Sequence, residues 1–204
     1  LKSIWFHAAS VGELMSVIPI IKKMEKSKKI LQIIVTTSTT SSAGILKKLK
    51  FKKTIHIYYP YDSNFLTKKF IQIWRPQVAI FVDSEIWPNM FNNLYRKKIP
   101  LILLNARITK KSFNRWKILK NFSAEIFNKI TLALPSNSET KKYLNILGVK
   151  NIKIAGNLKY YGQKKEDKSK LISFKKNFKN FKVWCAASTH ENEEVMIAKL
   201  HKII

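Results

Sequence analysis

Carboxylates are scarce in this sequence. Of its 204 residues 12 are Asp or Glu, against 39 Lys and Arg, for a formal net charge of +27. An acid inside an apolar stretch is therefore not part of a general solvated coat and asks for a local reason. Arginine is scarce too: Arg75, Arg96, Arg107 and Arg115 make up the whole set. An excess of positive charge usually points to nucleic acid, an anionic membrane or a polyanionic substrate. A phosphate-reading surface draws on arginine forks, however, and here the lysines come with abundant Ile and Asn spread over the whole chain. That is a compositional bias, and nucleic acid is discounted as a partner. The one cysteine, Cys185, excludes a disulfide framework and a Cys-based metal site, and fits a reducing, cytoplasmic setting. His7, His56, His190 and His201 lack metal-ligand spacing. No run is long and apolar enough to span a bilayer, and no signal peptide is visible. Gly-rich dinucleotide fingerprint, Walker loop and nucleophile elbow are all missing, which removes the commonest α/β enzymes.

What is present is an alternation of strand and helix patterns. Apolar or β-branched runs at Ser3–Phe6, Leu31–Thr37, Ile55–Tyr59, Val78–Val82, Leu101–Leu104, Thr131–Leu134 and Ile152–Ala155 read as strands. Between them lie helical periods, including one basic stretch from about Lys110 to Lys129 and a helix from Pro88, a residue suited to a first turn. Continuous apolar strands separated by amphipathic helices predict a parallel sheet covered on both faces, with ligands beyond the carboxyl ends of the strands. Residues 160–181 read as a lysine-rich connector. Val183–Ala187 and the residues from Glu191 read as a new strand and helix, the first unit of a second domain. The chain starts with Leu and ends within a helical pattern, and so reads as a piece of something longer.

The strand-end rule selects the candidates. After the first strand, His7-Ala8-Ala9-Ser10-Val11-Gly12-Glu13 passes through small residues into a helix. Small residues such as Ser10 and Gly12 admit a ligand to the first free N–H groups of that helix. Glu13 is either a reactive carboxylate there or a first-turn acid favoured by the helix dipole. After the most apolar strand come Asp83 and Glu85, in Val82-Asp83-Ser84-Glu85-Ile86-Trp87-Pro88. Burial and mutual repulsion of two acids would raise at least one pKa, as acid/base chemistry needs. Either residue would equally serve as the cap of the helix beginning at Pro88. Asn105 and Arg107 suit an anionic or sugar ligand, or form a surface loop. Lys159 has only its strand-end position to recommend it. Ser188-Thr189-His190-Glu191 offers hydroxyls and a helix start, either a phosphate seat or a capping box. His7 could act as a base, although a lone strand histidine is more often a packed one.

These segments, with Tyr59-Pro60-Tyr61-Asp62, Asp83 to Asn89 and Gly156-Asn157-Leu158-Lys159, occur here in one order. Together they resemble the bacterial 3-deoxy-D-manno-octulosonic acid (Kdo) transferase family of lipopolysaccharide assembly. The resemblance covers nearly all of the chain and implies a GT-B glycosyltransferase with two Rossmann-like domains. Residues 1–159 would be the acceptor-side domain, and 182–204 the first βα unit of a donor-binding domain. It further implies an inverting transfer from CMP-Kdo to a lipid A precursor, with no essential metal or other cofactor, at the cytoplasmic face of the inner membrane. By motif, Glu13 matches the general base, Asp83 or Glu85 a second acid, and Lys159 a cation facing the leaving phosphate. Ser10, Gly12, Asn105, Arg107, Ser188, Thr189, His190 and Glu191 would bind substrate. Two residues depart from the pattern: Asp83 stands where Glu is common, and Asn192 where Gly is usual. Without the CMP-binding half, the piece should be inactive alone. The lysine excess would meet lipid phosphates at an anionic membrane surface, with any exposed Trp near 110–120 as an interfacial anchor. Another GT-B sugar-nucleotide enzyme, or a basic membrane or nucleic-acid module, is the alternative.

Overall fold

The computed structural model of the protein describes residues 2–158, 178–179, 185–187 and 189–201. The chain divides into two compact units, Leu1–Gln163 and Lys164–Ile204.

The first unit is a six-stranded, wholly parallel sheet. Its strands are β1 (Ser3–His7), β2 (Gln32–Thr37), β3 (Thr54–Tyr58), β4 (Val78–Val82), β5 (Leu101–Ala106) and β6 (Leu132–Pro135). Their spatial order is β3-β2-β1-β4-β5-β6, so the winding reverses between β1 and β4. That reversal opens a crevice at the carboxyl ends of the two strands. The side-chain period of two sends alternate residues to opposite faces. Ile4, Phe6, Ile33, Val35, Ile80 and Val82 form one core with helices α1 (Val11–Glu25) and α2 (Thr40–Leu49). Trp5, Ile34, Ala79, Phe81, Leu101 and Leu103 form the other, against α3 (Asn64–Trp74), α4 (Pro88–Arg96), α5 (Lys110–Ile118), α6 (Lys120–Phe127) and α7 (Ser138–Ile146). Among the described residues no helix is long and apolar enough to cross a membrane.

Two expectations are corrected. The basic stretch 110–129 is two helices, parted at Leu119 (φ −95°, ψ 52°). The break lets Trp116 stack on Phe122 and meet Phe127 edge-on at 5.2 Å. Along one straight helix those residues would sit about 9 and 16 Å up the axis. Residues 152–155 make no strand: Ile152 forms a single parallel bridge to Ala133, and Lys153, Ile154 and Ala155 are exposed. In the second unit Val183 and Trp184 of the expected strand lie outside the described residues, and Cys185 is exposed. The residues from Glu191 do lead into a helix, α8 (Glu193–His201). Most of the connector expected at 160–181 lies outside the described residues.

Candidate active site

The strand ends at the β1/β4 switch point gather most of the candidates. Ser10 is the N-cap of α1, and its hydroxyl accepts the Glu13 N–H at 3.3 Å. The Glu13 carboxylate returns the bond, accepting from the Ser10 hydroxyl (3.0 Å) and from the Ala9 N–H (2.8 Å). Glu13 is thus a capping residue as well as an acid at the crevice. Burial, then the charge of Glu85, raises its pKa above the ordinary value; the Ser10 and Ala9 hydrogen bonds oppose this, and Asp83 adds to it. A Cβ at Gly12 would meet no atom within 4 Å. Packing does not require glycine there, and its smallness keeps the space over the helix start open.

After β4 the two acids part company. Asp83 takes a left-handed backbone (φ 59°), as does Asn105 at the end of β5 (φ 55°). The Asn105 amide donates to Asp83 and its carbonyl accepts the Leu158 N–H at 3.1 Å. Asn105 therefore ties the β4 end to the segment that leads toward Lys159. Two non-glycine residues held in a sparsely populated region side by side are a mark of a functional site. Glu85 instead faces β1. Its Oε2 accepts from Trp87 Nε1 (2.7 Å) and from His7 Nε2 (3.2 Å). Burial alone would push the Glu85 carboxyl up, but the hydrogen bonds from His7 and Trp87 oppose it, and the pKa lies below the ordinary value.

Neither acid caps α4. Its N-cap is Trp87, which makes no side-chain cap bond, and the exposed backbone donors are taken by Asp62, whose two oxygens accept from Asn89 N (3.1 Å) and Met90 N (2.9 Å). The capping alternative for Asp83 and Glu85 is thereby removed. Arg107 is exposed; its carbonyl accepts the Ser84 hydroxyl at 2.6 Å, which fixes the loop rather than the guanidinium.

Three further residues complete the site: His7, which on sequence is a candidate base but reads first as a packed histidine, with Tyr59 and Thr36, to which the sequence reading gives no role. His7 is fully buried, Tyr59 lies over it with ring centroids 4.0 Å apart, and Thr36 stands behind it at 3.0 Å. Their signal was adjacency across the sheet, which no local pattern carries. Lys159 and Ser188 lie outside the described residues. In the second unit the helix start at Thr189-His190-Glu191 is closed by its own acids: Glu193 accepts the His190 N–H (2.9 Å), and Glu194 the Thr189 hydroxyl (3.2 Å). Among the described residues no cluster of three or more His, Cys, Asp or Glu is placed to hold a metal ion.

A crevice at the switch point, carrying carboxylates of opposite pKa displacement beside an open helix N-terminus, can bind a polyol and take a proton from one of its hydroxyls. A family model described as 3-deoxy-D-manno-octulosonic-acid transferase matches residues 1–161. The chain is 36% identical over 199 residues to the 3-deoxy-D-manno-octulosonic acid transferase of Rickettsia felis, covering 95% of this chain and 42% of that protein. It is 30% identical over 207 residues to that of Haemophilus influenzae, covering 100% and 48%. The chain thus spans about half the length of the curated relatives it matches. Among solved structures, Anabaena HepE in complex with UDP and glucose aligns with a TM-score of 0.59 at 14% identity, over 99% of this chain and 58% of that one. UDP-GlcNAc 2-epimerase from Neisseria meningitidis aligns at 0.56 and 12%, over 100% and 55%. At such identities the likeness is one of fold: a Rossmann-like, GT-B-type architecture.

Proposed function

Because this chain belongs to the 3-deoxy-D-manno-octulosonic-acid transferase family, we propose that it is the acceptor-side part of an inverting glycosyltransferase moving Kdo from CMP-Kdo to a lipid A precursor. In this reading the acceptor hydroxyl attacks the anomeric carbon of Kdo. The bond from that carbon to the CMP phosphate oxygen breaks, CMP leaves with the electron pair, and Glu13 takes the hydroxyl proton. Glu85 stays anionic beside it, where negative charge favours an oxocarbenium-like transition state. Asp83 and Asn105 shape the neighbouring strand ends. Lys159, Arg107, Ser188, Thr189, His190 and Glu191 enter as substrate groups on the family motifs alone, and the donor half would follow the first unit. The observation that carries the reading is the Glu13 carboxylate at the mouth of the switch-point crevice, its pKa raised by burial and by Glu85. A raised carboxylate is a stronger base than an ordinary one.

The membrane part of the reading rests on α5 and α6. Trp116 is half-buried and packed inward, so it is not the anchor that an exposed tryptophan would have supplied. Ile118, Leu119 and Phe122 are exposed instead, with Lys117 and Lys120 beside them in the chain. Apolar tips ringed by lysine suit the surface of an anionic bilayer on the cytoplasmic side.

The test is transfer of Kdo from CMP-Kdo to a tetraacylated lipid A precursor by the full-length protein. Glu13→Gln should lower kcat roughly 10²- to 10⁴-fold, the usual share of a general base, while CMP binding and folding persist. Undiminished turnover would move the base to Asp83 or Glu85. Wild-type protein that binds UDP but not CMP, and transfers nothing from CMP-Kdo, would overturn the assignment.

A further inference from the structure

His7 has no role in the proposed transfer, yet it is one of the most deeply buried polar groups in the first unit, with no exposed surface. It sits at the end of β1, in register with Thr36 of β2 and Phe81 of β4. An imidazole placed there must have both ring nitrogens satisfied, because a buried polar atom without a partner is costly. Its partners form a chain. Trp5 Nε1 donates to Thr36 Oγ1 at 2.9 Å, and as an N–H it can do nothing but donate. The Thr36 hydroxyl has its own proton to give, and of its two acceptors His7 Nδ1, at 3.0 Å, is nearer than the Phe6 carbonyl, at 3.4 Å. The Thr36 carbonyl is the longer contact to Nδ1, at 3.3 Å, and it already accepts the Ala8 N–H at 3.0 Å. With Nδ1 accepting, Nε2 carries the ring proton and donates it to Glu85 Oε2 at 3.2 Å. Trp87 Nε1 donates to the same oxygen from the other side at 2.7 Å. Every donor and acceptor from Trp5 to Glu85 is then matched, and Glu85 Oε1 stands outside the chain.

We propose that His7 is a positioning residue of the active site, which with Thr36 behind it clamps the Glu85 carboxylate by a single oxygen and leaves the second oxygen for the substrate. Aromatic rings wall the clamp. Tyr59 covers the imidazole at 4.0 Å, and Phe81 and Trp87 meet it edge-on at 5.1 and 6.3 Å. They keep water from competing for the hydrogen bonds. Glu85 is faced by His7 from β1, by Glu13 from α1 and by Tyr59 from the loop after β3, with Asp83 two residues earlier on its own segment. Among these His7 is the only group that can donate to it from a strand of the sheet, so the rigidity of β1 passes directly to the carboxylate. Glu85 in turn acts on Glu13 through its charge.

The idea rests on the transferase reading, and its test has an arm that does not. The first arm is turnover of full-length protein against pH. His7→Leu should lower kcat roughly 10- to 100-fold, the scale of a misplaced reacting group. Its acid limb should move to higher pH, since Glu85 loses the donor that keeps it ionised. His7→Gln should restore much of both, because the Gln Nε2 is as many bonds from Cβ as the imidazole Nε2. Equal profiles for wild type and His7→Leu, or Gln behaving as Leu does, would overturn the proposal. The second arm is ¹⁵N NMR of histidine-labelled wild type and Glu85→Gln. The His7 ring should show the Nε2-protonated tautomer, with an Nε2 resonance that moves when Glu85 is changed. A resonance indifferent to Glu85 overturns the clamp whatever the enzyme transfers. A responsive resonance in a protein that transfers no Kdo would keep the clamp and discard the assigned reaction.

Discussion

Two helix starts flank the switch point, and each delivers a carboxylate to it by a different route. At the start of α1 the acid is local: Glu13 lies three residues after its cap and folds back on Ser10 and Ala9. At the start of α4 the capping work is done from elsewhere, by Asp62 in the loop after β3. Glu85 is thereby released from its own helix and turned to His7 on β1. The outcome is two carboxylates displaced in opposite directions, Glu13 upward and Glu85 downward. A single crevice so acquires one group suited to accept a proton and one suited to remain charged. A helix start can therefore hold its acid by satisfying its own donors with it, or free that acid by having its donors satisfied from a distance.

The strongest way to break this contrast is to remove the remote cap. Asp62→Ala strips two backbone N–H groups of α4 of their acceptor, while the Asn89 side chain keeps its bond to the Asp62 backbone carbonyl at 2.7 Å. The loss should be about 2 kcal/mol, the upper range for a helix cap, measured by urea denaturation. Asp62→Asn should recover roughly half of it, since one amide oxygen can still accept. A cost under about 0.5 kcal/mol for the Ala variant would mean that α4 does not depend on Asp62, and Glu85 would again be a candidate for its own helix.

How far all this was legible depends on sequence distance. The parallel sheet and its strand ends follow from continuous apolar runs such as Val78–Val82, and Ser10 with Glu13 lies within one turn, so the α1 start reads directly. The α4 start does not. Its cap is 27 residues away, and the partner of Glu85 is 78 residues away. Pairing His7 with Glu85 requires knowing that β1 lies beside β4, a fact of strand order that periodicity does not contain. The same holds for the break at Leu119. No Gly or Pro marks it, and it arises because Trp116 finds two aromatic partners when the helix bends back. At 152–155 the local pattern was apolar enough for a strand, but edge position and exposure decided against it.

The pH dependence of stability sharpens the contrast without any substrate. The folded-state pKa of Glu85 is depressed, so its contribution is present above the unfolded-state value and is lost as pH falls through the folded one. Glu13 is raised: between its unfolded and folded values the native state holds the extra proton, and stability declines as pH rises across that window. Glu85→Gln should therefore flatten the acid side of the stability curve, below about pH 4.3, and Glu13→Gln the part just above it. Glu85→Gln should also be the less stable at pH 7, while Glu13→Gln stays near wild type because Gln keeps an acceptor for the Ala9 N–H. Denaturation midpoints from pH 3 to 7 measure both. Parallel shifts in the two variants would show that the acids are not differentiated by their surroundings.

The smallest effect concerns the one loose end on the β4 side. The Tyr59 hydroxyl is buried and, among the described residues, finds no hydrogen-bond partner. Burial, then the charges of Asp62 and Glu85, pushes its pKa well above the ordinary value, so the hydroxyl keeps its proton through the physiological range. An unmatched buried hydroxyl is a cost of about 1 kcal/mol or a little more, recoverable by deleting the oxygen while keeping the ring. Tyr59→Phe should therefore raise stability by up to about 1 kcal/mol and leave the stacking on His7 and Trp87 intact. Its turnover is the sharper reading. If the clamp works through His7 and Glu85 alone, Tyr59→Phe retains wild-type kcat, since only the ring walls the imidazole. A drop in kcat with the expected gain in stability would give the hydroxyl a part in substrate handling and make the β4 side a three-residue device. A loss of stability would show that the oxygen does have a partner in solution, and that the buried cluster around Glu85 is more fully bonded than its side chains alone account for.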